Sequence, residues 1–485
     1  MMAKVKIIKN YIYNVLYQLL AVLLPFITIP YVSRVLGAEN VGINSFTNAN
    51  TQYFVLIATM GISIYGTREI AYLKNDINAR SKLFFEIMLI KLMLFILSYS
   101  LFFIFLWLVH QYKQIYLIQS ISIVSAFFDV SWFFMGLQNF KITVLRNFLV
   151  KIISIVSIFA FVKDSNDIYE YILILVLSIF FGNISIWSFL KNNLEFTKDL
   201  KVKSLKKHIK PILVLFVPQI AIQVFTVVNK TILGIYSTPV NLGLFENSDK
   251  IIRIFMAVVT ASGIVLLPAV SNLYADKDFN KVKLYMYKAF DYISFLSIPL
   301  SVGLMVIAFP FGPWFFGESF SKIGIVLAVL SSILVFMAWN NTLSSQFLIP
   351  AKHENWYTNS FILGAILNVF LNILLDKKYG AVGAAISAAL SETVVFIYQI
   401  YKIKYFFDLK LMFKDVWKYY LSSFFMGIGV FLINNISSFS VIILVLDLLT
   451  GITIYLLCSM LLRVSIIEDF KQYLVTKLQW EDHQD

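Results

Sequence analysis

Apolar runs of twenty residues or so follow one another from one end of this chain to the other, separated by short polar breaks. A helix that crosses about 30 Å of hydrocarbon needs runs of that length. Read this way, the chain predicts helices over 10–33, 40–64, 83–109, 114–137, 142–162, 168–190, 211–236, 242–270, 285–310, 321–349, 357–375, 380–403, 416–434 and 439–462. The breaks carry turn chemistry. Gly37 to Asn40 separates the first two runs, Lys163 to Asp167 the fifth and sixth, and Ser237-Thr238-Pro239 the seventh and eighth. The expected fold class is an all-α integral membrane protein of about fourteen transmembrane helices.

Composition removes the soluble alternative. Hydrophobic residues make up 59% of the 485, and charged residues only 14%. Mean hydropathy is +0.80. A soluble domain covers itself with roughly a quarter charged residues. The formal net charge of +13 would suggest nucleic acid in a soluble protein. Here it reads as orientation charge, and no nucleic acid is expected. The one cysteine, Cys458, lies in an apolar run, so no disulfide framework can form within the chain. Lys4, Lys6 and Lys9 precede the first run like the charged end of a signal peptide. That run passes through Pro25 and Pro30 to Tyr31 without a small-residue cleavage site, so it reads as a retained helix.

Lys and Arg collect in alternate breaks, which predicts both termini in the cytoplasm. The richest break, 191–210, includes Lys198, Lys201, Lys203, Lys206 and Lys207. It suggests a division into a six-helix lobe over 1–190, a basic linker over 191–210, a second six-helix lobe over 211–403, and two accessory helices with a tail over 404–485. The halves resemble each other at an offset of about two hundred residues, as in a parallel repeat. Gln18 matches Gln219, Gly42 matches Gly243, and Leu73 to Asp76 matches Leu273 to Asp276. Transporters built this way hold substrate between the halves and rock them alternately.

The opening segment Asn10-Tyr11-Ile12-Tyr13-Asn14, continuing through Tyr17-Gln18, Leu24-Pro25, Thr28, Pro30-Tyr31 and Ser33-Arg34 to Gly37, resembles the first helix of the Wzx-type lipid-linked oligosaccharide flippases. Gly243 to Ile251 is similar to their eighth helix, and Tyr379-Gly380 to Ile386 to the start of their twelfth. The resemblance implies the MATE-like fold of the multidrug/oligosaccharidyl-lipid/polysaccharide (MOP) exporter superfamily. It also implies a substrate of undecaprenyl diphosphate carrying a short sugar repeat. The implied partners are that lipid, the bilayer, and a polysaccharide polymerase with other assembly proteins. No cofactor and no metal are expected.

Charges within the runs are the candidate functional residues, because a charge at mid-membrane normally faces a cavity or a partner. Glu246, Asp249, Lys250 and Arg253 recur at helical spacing on one face of the eighth run. They could neutralise one another as i,i+4 pairs or line a wet cavity. A diphosphate calls for cations, and Arg34, Arg68, Lys230, Lys250 and Arg253 are the candidates, arginine offering a bidentate fork. Glu246, Asp249 and Glu392 are the candidates for charge balance or ion coupling. Arg34 and Lys230 could instead snorkel to the interface, and Arg68 could anchor there. Glu86, Lys91, Asp129, Arg146 and Lys151 form a second set, with Asp129 expected to pair with Lys91 or Lys151. Glu392 and Asp447 read as isolated carboxylates. All four histidines, His110, His208, His353 and His483, read as lying in or beside loops or the tail. Tyr and Trp read first as an interfacial belt, and second as sugar-stacking rings.

Two other classes stand beside the flippase. A multidrug antiporter of the same fold should favour cavity carboxylates for cationic drugs. A membrane polymerase or glycosyltransferase should carry an extended polar loop, which this chain lacks, and no nucleophile–base constellation is visible. No GxxxxGK[ST] loop occurs, so the chain itself offers no nucleotide site.

Overall fold

The computed structural model describes residues 2–195, 202–261, 278–436, 438–469 and 471. Lys198 and Lys201 of the linker, Pro268, the Leu273–Asp276 match, His483 and the tail from 472 lie outside the described residues, as do the side chains of Gln18, Lys203, Pro218 and Gln219. The described chain is helical: α1 Met2–Thr59, α2 Ile62–Tyr72, α3 Ile77–Leu108, α4 Lys113–Gln119, α5 Ile121–Phe128, α6 Ser131–Gly136, α7 Phe140–Phe161, α8 Ile168–Ser185, α9 Val202–Tyr236 and α10 Pro239–Ala261. There follow α11 Phe279–Phe316, α12 Ile323–Ser331, α13 Ile333–Leu343, α14 Glu354–Tyr379, α15 Ala381–Ile403, α16 Leu409–Met412, α17 Val416–Ile436 and α18 Val441–Leu461.

Eleven stretches among the described residues are long and apolar enough to cross a membrane. The stretch Leu24–Tyr72 takes in the first two predicted spans as one, because helix runs up to Gly37 from both sides. Gly37 turns the chain at φ 76, a left-handed conformation that glycine adopts without a Cβ penalty. The seventh and eighth predicted spans, in α9 and α10, are not among the eleven; the seventh includes side chains, and the eighth residues, outside those described.

Three predicted spans are broken where the pattern showed no break, the tenth of them at Ser332. The second stops at Thr59, turns at Met60 and Gly61, and resumes as α2. The fourth divides at Ser120 and again at Asp129 and Val130. Asp129 therefore caps a break rather than sitting on a helix face. Its Oδ1 accepts from the Ser131 backbone N–H at 2.9 Å and the Ser131 hydroxyl at 2.5 Å.

The residues group into two compact units, Met1–Gly243 and Leu244–Asp485. In the first, α9 packs on α1, α2 and α3. The core between α2, α3 and α6 is aromatic, with Phe84 stacked on Trp132 and edge-on to Phe133. Within this unit α1 meets the start of α10 at backbone contact. A Cβ on Gly42 would lie 1.7 Å from the Pro239 carbonyl oxygen, and one on Gly243 would lie 2.0 Å from that of Ala38. These are the two matched glycines, and each contact is the image of the other under the repeat offset of about two hundred residues.

In the second unit α11 packs along α17, and α17 along α18. The Tyr419 hydroxyl donates to Asp291 Oδ1 at 2.7 Å, and the Tyr455 hydroxyl to the Phe295 carbonyl at 2.8 Å. α14 and α15 pack side by side through a sharp turn at Gly380. Small residues allow the closeness: a Cβ on Gly383 would fall 2.5 Å from the Leu375 carbonyl oxygen. The buried stripe of α14 is polar, with Ser360, Asn368, Asn372 and Asp376 spaced four apart or in multiples of four.

Candidate substrate site

The charged face of α10 is the most developed cluster of the predicted residues. The helix opens with Pro239, whose missing N–H costs nothing at a first turn. Its apolar side buries Leu242, Phe245, Ile251, Ile252 and Val259. Glu246, Asp249, Lys250 and Arg253 share the other side. Lys250 Nζ lies 3.3 Å from Glu246 Oε1, and Arg253 Nε donates to Asp249 Oδ2 at 2.8 Å. The two i,i+4 pairs expected from the spacing are formed.

The members of each pair are not equally placed. The side chains of Glu246 and Asp249 are 12% and 16% exposed, those of Lys250 and Arg253 34% and 47%. The carboxylates lie beneath and the cations above. The cations are the more open members of each pair, although the four charges sum to zero. Pairing and anion binding are therefore compatible on this face.

Glu392 is not isolated. It is 5% exposed on α15 and accepts from Asn340 Nδ2 on α13 at 2.7 Å through Oε2. The same amide reaches the Glu392 carbonyl at 3.1 Å. Glu392 also lies within electrostatic reach of Arg253. The second unit thus brings together Lys250, Arg253, Glu246, Asp249 and Glu392.

The other candidate cations lie in the first unit. Arg34 is exposed on α1 and Lys230 half-buried on α9, and both have interaction partners. Arg68 grips its neighbour Glu69 through Nε at 3.0 Å and a terminal nitrogen at 2.8 Å, and sits over the Tyr65 ring.

The second charged set rearranges the expected pairing. The Lys91 ammonium is buried on the Asp129 carbonyl, not on its carboxylate, which Ser131 occupies. The break at Asp129 frees that carbonyl from the helical ladder. Arg146 binds the Asn183 side-chain carbonyl and donates to the Ser131 hydroxyl at 2.8 Å. Lys151 has partners of its own. Asp447 is paired too, accepting from Asn434 Nδ2 at 3.0 Å.

Sequence reasoning missed the partners of Glu86. The side chain is 1% exposed and accepts from the Ser204 hydroxyl at 2.6 Å, with His208 Nε2 at 2.7 Å and Lys207 Nζ at 3.0 Å. The other ring nitrogen of His208 bonds the Tyr65 hydroxyl. His208 is buried inside α9, not beside a loop. Only the fold brings α2, α3 and α9 together here, and no local motif marks it. Asp291, Asp376 and Asp415, also missed, are acids at or near run ends that packing draws inward. Among the described residues no three His, Cys, Asp or Glu side chains group as a metal set.

Comparison with known proteins adds the family. A transporter of Shigella dysenteriae named for O-antigen is 26% identical over 385 residues, covering 79% of this chain and 96% of its own length. A solved lipid II flippase MurJ, in an inward closed conformation, superposes with a TM-score of 0.78 at 18% identity, over 94% of this chain and all of that one. An inward-facing MATE multidrug transporter of the MOP superfamily superposes at 0.61 with 14% identity, over 79% of this chain and 95% of that one. These likenesses show a MATE-like helical fold. The family described as polysaccharide biosynthesis protein matches residues 7–274, more than half of the sequence, and the chain belongs to that family.

Proposed function

We propose that this protein is a transporter, not an enzyme, that flips undecaprenyl-diphosphate-linked oligosaccharide repeats from the cytoplasmic to the outer leaflet by alternating access, for export of a cell-surface polysaccharide. The observation that carries the reading is the layering on α10. Lys250 and Arg253 are open to a ligand while Glu246 and Asp249 are tucked beneath them. A diphosphate is the most anionic part of such a lipid, and charge-assisted bonds to Arg and Lys would replace its lost water. Lys250 and Arg253 serve as substrate cations, and Arg34, Lys230 and Arg68 of the first unit as further ones. Glu246, Asp249 and Glu392 balance or release that charge. The proposed frame is fourteen helices with both termini cytoplasmic, and lobes over 1–190 and 211–403 flanking the linker. A polysaccharide polymerase and other assembly proteins are the proposed partners.

The likeness of fold to MATE multidrug transporters supports a second reading, ion-coupled drug export. The exposed cations on α10 weigh against it, since cationic drugs require exposed acids. The test is complementation. In a strain lacking its oligosaccharide flippase and carrying the matching glycan genes, this protein should restore surface polysaccharide and clear the stalled lipid-linked intermediate. Restored drug resistance with no effect on the intermediate would select the second reading.

A further inference from the structure

The first unit holds a cavity of about 510 Å³. Phe46, Asn50 and Tyr53 of α1, Tyr112 and Tyr116 at α4, and Thr231 of α9 form its wall. Among the described residues no Lys, Arg, Asp or Glu lines it. Its size falls in the range of small-ligand pockets. A continuous chain of hydrogen bonds sets the wall in place. Asn50 Nδ2 donates to the Tyr116 hydroxyl at 2.7 Å, Thr231 Oγ1 donates to Asn50 Oδ1 at 3.2 Å, and the Tyr53 hydroxyl lies 3.1 Å from Thr231 Oγ1. Three helices are thereby tied together around preoriented aromatic rings.

The rim adds polar groups. His110 and Gln111 are exposed there, and His110 Nδ1 is engaged by the Leu108 carbonyl at 3.0 Å, which leaves Nε2 for a ligand. The next residue, Tyr112, holds φ 58 and ψ 25. A bulky side chain in that region is strained, and such strain collects at ligand clamps. Glycine would take this conformation freely. Its ring packs against the Phe102 and Tyr116 cluster and lines the cavity.

We infer that this cavity is a subsite for a neutral sugar ring of the transported glycan. Sugar rings present C–H faces that pack on aromatic planes and hydroxyls that pair with amides, imidazole and phenols. A lipid acyl chain would need none of those polar groups. In the proposed topology His110 to Tyr116 and Thr231 lie toward the outer ends of their spans, and Asn50 and Tyr53 near the middle of theirs, so the subsite holds sugar in the outward half. The inference rests on the flippase reading.

The test uses the full-length protein in lipid nanodiscs and two probes: undecaprenyl diphosphate without sugar, and the undecaprenyl-diphosphate-linked oligosaccharide extracted from the protein's own host. Loss of one aromatic contact should weaken the sugar-bearing lipid about tenfold in Tyr112→Ala. Gln111→Ala should weaken it as well, and both variants should bind the sugar-free lipid as wild type does. Tyr112→Phe should keep most of the affinity. Tyr112→Gly, which suits the backbone, should lose as much as Tyr112→Ala. Equal weakening for both probes, or none for either, would overturn the subsite while the flippase reading stands. A wild type that binds neither lipid would overturn both.

Discussion

Arg253 shows how one residue can be both paired and available. Asp249 holds its Nε, and nearly half of the side chain is still exposed, so the rest of the guanidinium can meet an anion. A hydrogen bond to a charged group is worth about 1.5–3 kcal/mol. Arg253→Ala should therefore lower glycan export about tenfold or more at matched membrane abundance. Arg253→Lys should keep part of it, since charge survives and the fork is lost. The combined Asp249→Asn and Arg253→Gln variant separates the two roles. A purely structural pair would be rescued by removing both charges. We expect export to stay defective, and full rescue would remove Arg253 from the site. His208 makes a contrasting residue-scale case. His208→Phe strips Glu86 and Tyr65 of a buried partner, which should cost about 1–3 kcal/mol. Lys207 and Ser204 still serve Glu86, so the variant should fold, with a lower Tm in detergent. An unchanged Tm would mean that the Glu86 network does not hold α9 to α3.

At the scale of elements, the crossing of α1 with the start of α10 depends on two glycines that touch backbone. No rotamer can relieve a Cβ placed about 2 Å from a carbonyl oxygen, so the helices themselves must part. Gly42→Ala and Gly243→Ala should each cost about 1–3 kcal/mol or more, as overpacking does. Gly303 is the control. Its added Cβ would meet only Met426 Cε, at 3.7 Å, an ordinary contact. Thermal unfolding of the three variants should rank Gly303→Ala near wild type and the other two well below it. Equal Tm values would show that the crossing can open without cost. The broken second and fourth spans belong to this scale as well. A hydrophobic run says that a segment is buried in lipid or protein, but it does not mark where the backbone turns within it. Ser120 and Asp129 carry turn chemistry only once their neighbours are in place.

For the whole molecule, orientation is the quantity that charge bias addresses. Reporter fusions after Lys203 should read cytoplasmic, and fusions at Ser237 and Asn435 external. A cytoplasmic reading at Ser237 would break the fourteen-helix frame, because α9 would then fail to cross. The contacts group residues 202–243 with the first helices, since α9 packs on α1, α2 and α3. The proposed lobes, cut instead at the basic linker 191–210, would assign residues 211–243 to the second lobe.

What the chain determined by itself was the part of the structure that solvent decides. Lipid demands long apolar helices with satisfied backbones, so composition and run length were enough to name an all-helical membrane protein. Helical periodicity was likewise enough to place Glu246, Asp249, Lys250 and Arg253 on one face and to pair them. Tertiary structure alone decided which member of each pair is uppermost, because exposure depends on neighbours far away in sequence. It decided that Glu392 meets Asn340, that Lys91 takes a carbonyl freed by a helix break, and that His208 is buried between Glu86 and Tyr65. A buried polar group takes whatever partner packing brings within about 3 Å. For these residues that partner lies tens to more than a hundred positions away, beyond any local pattern.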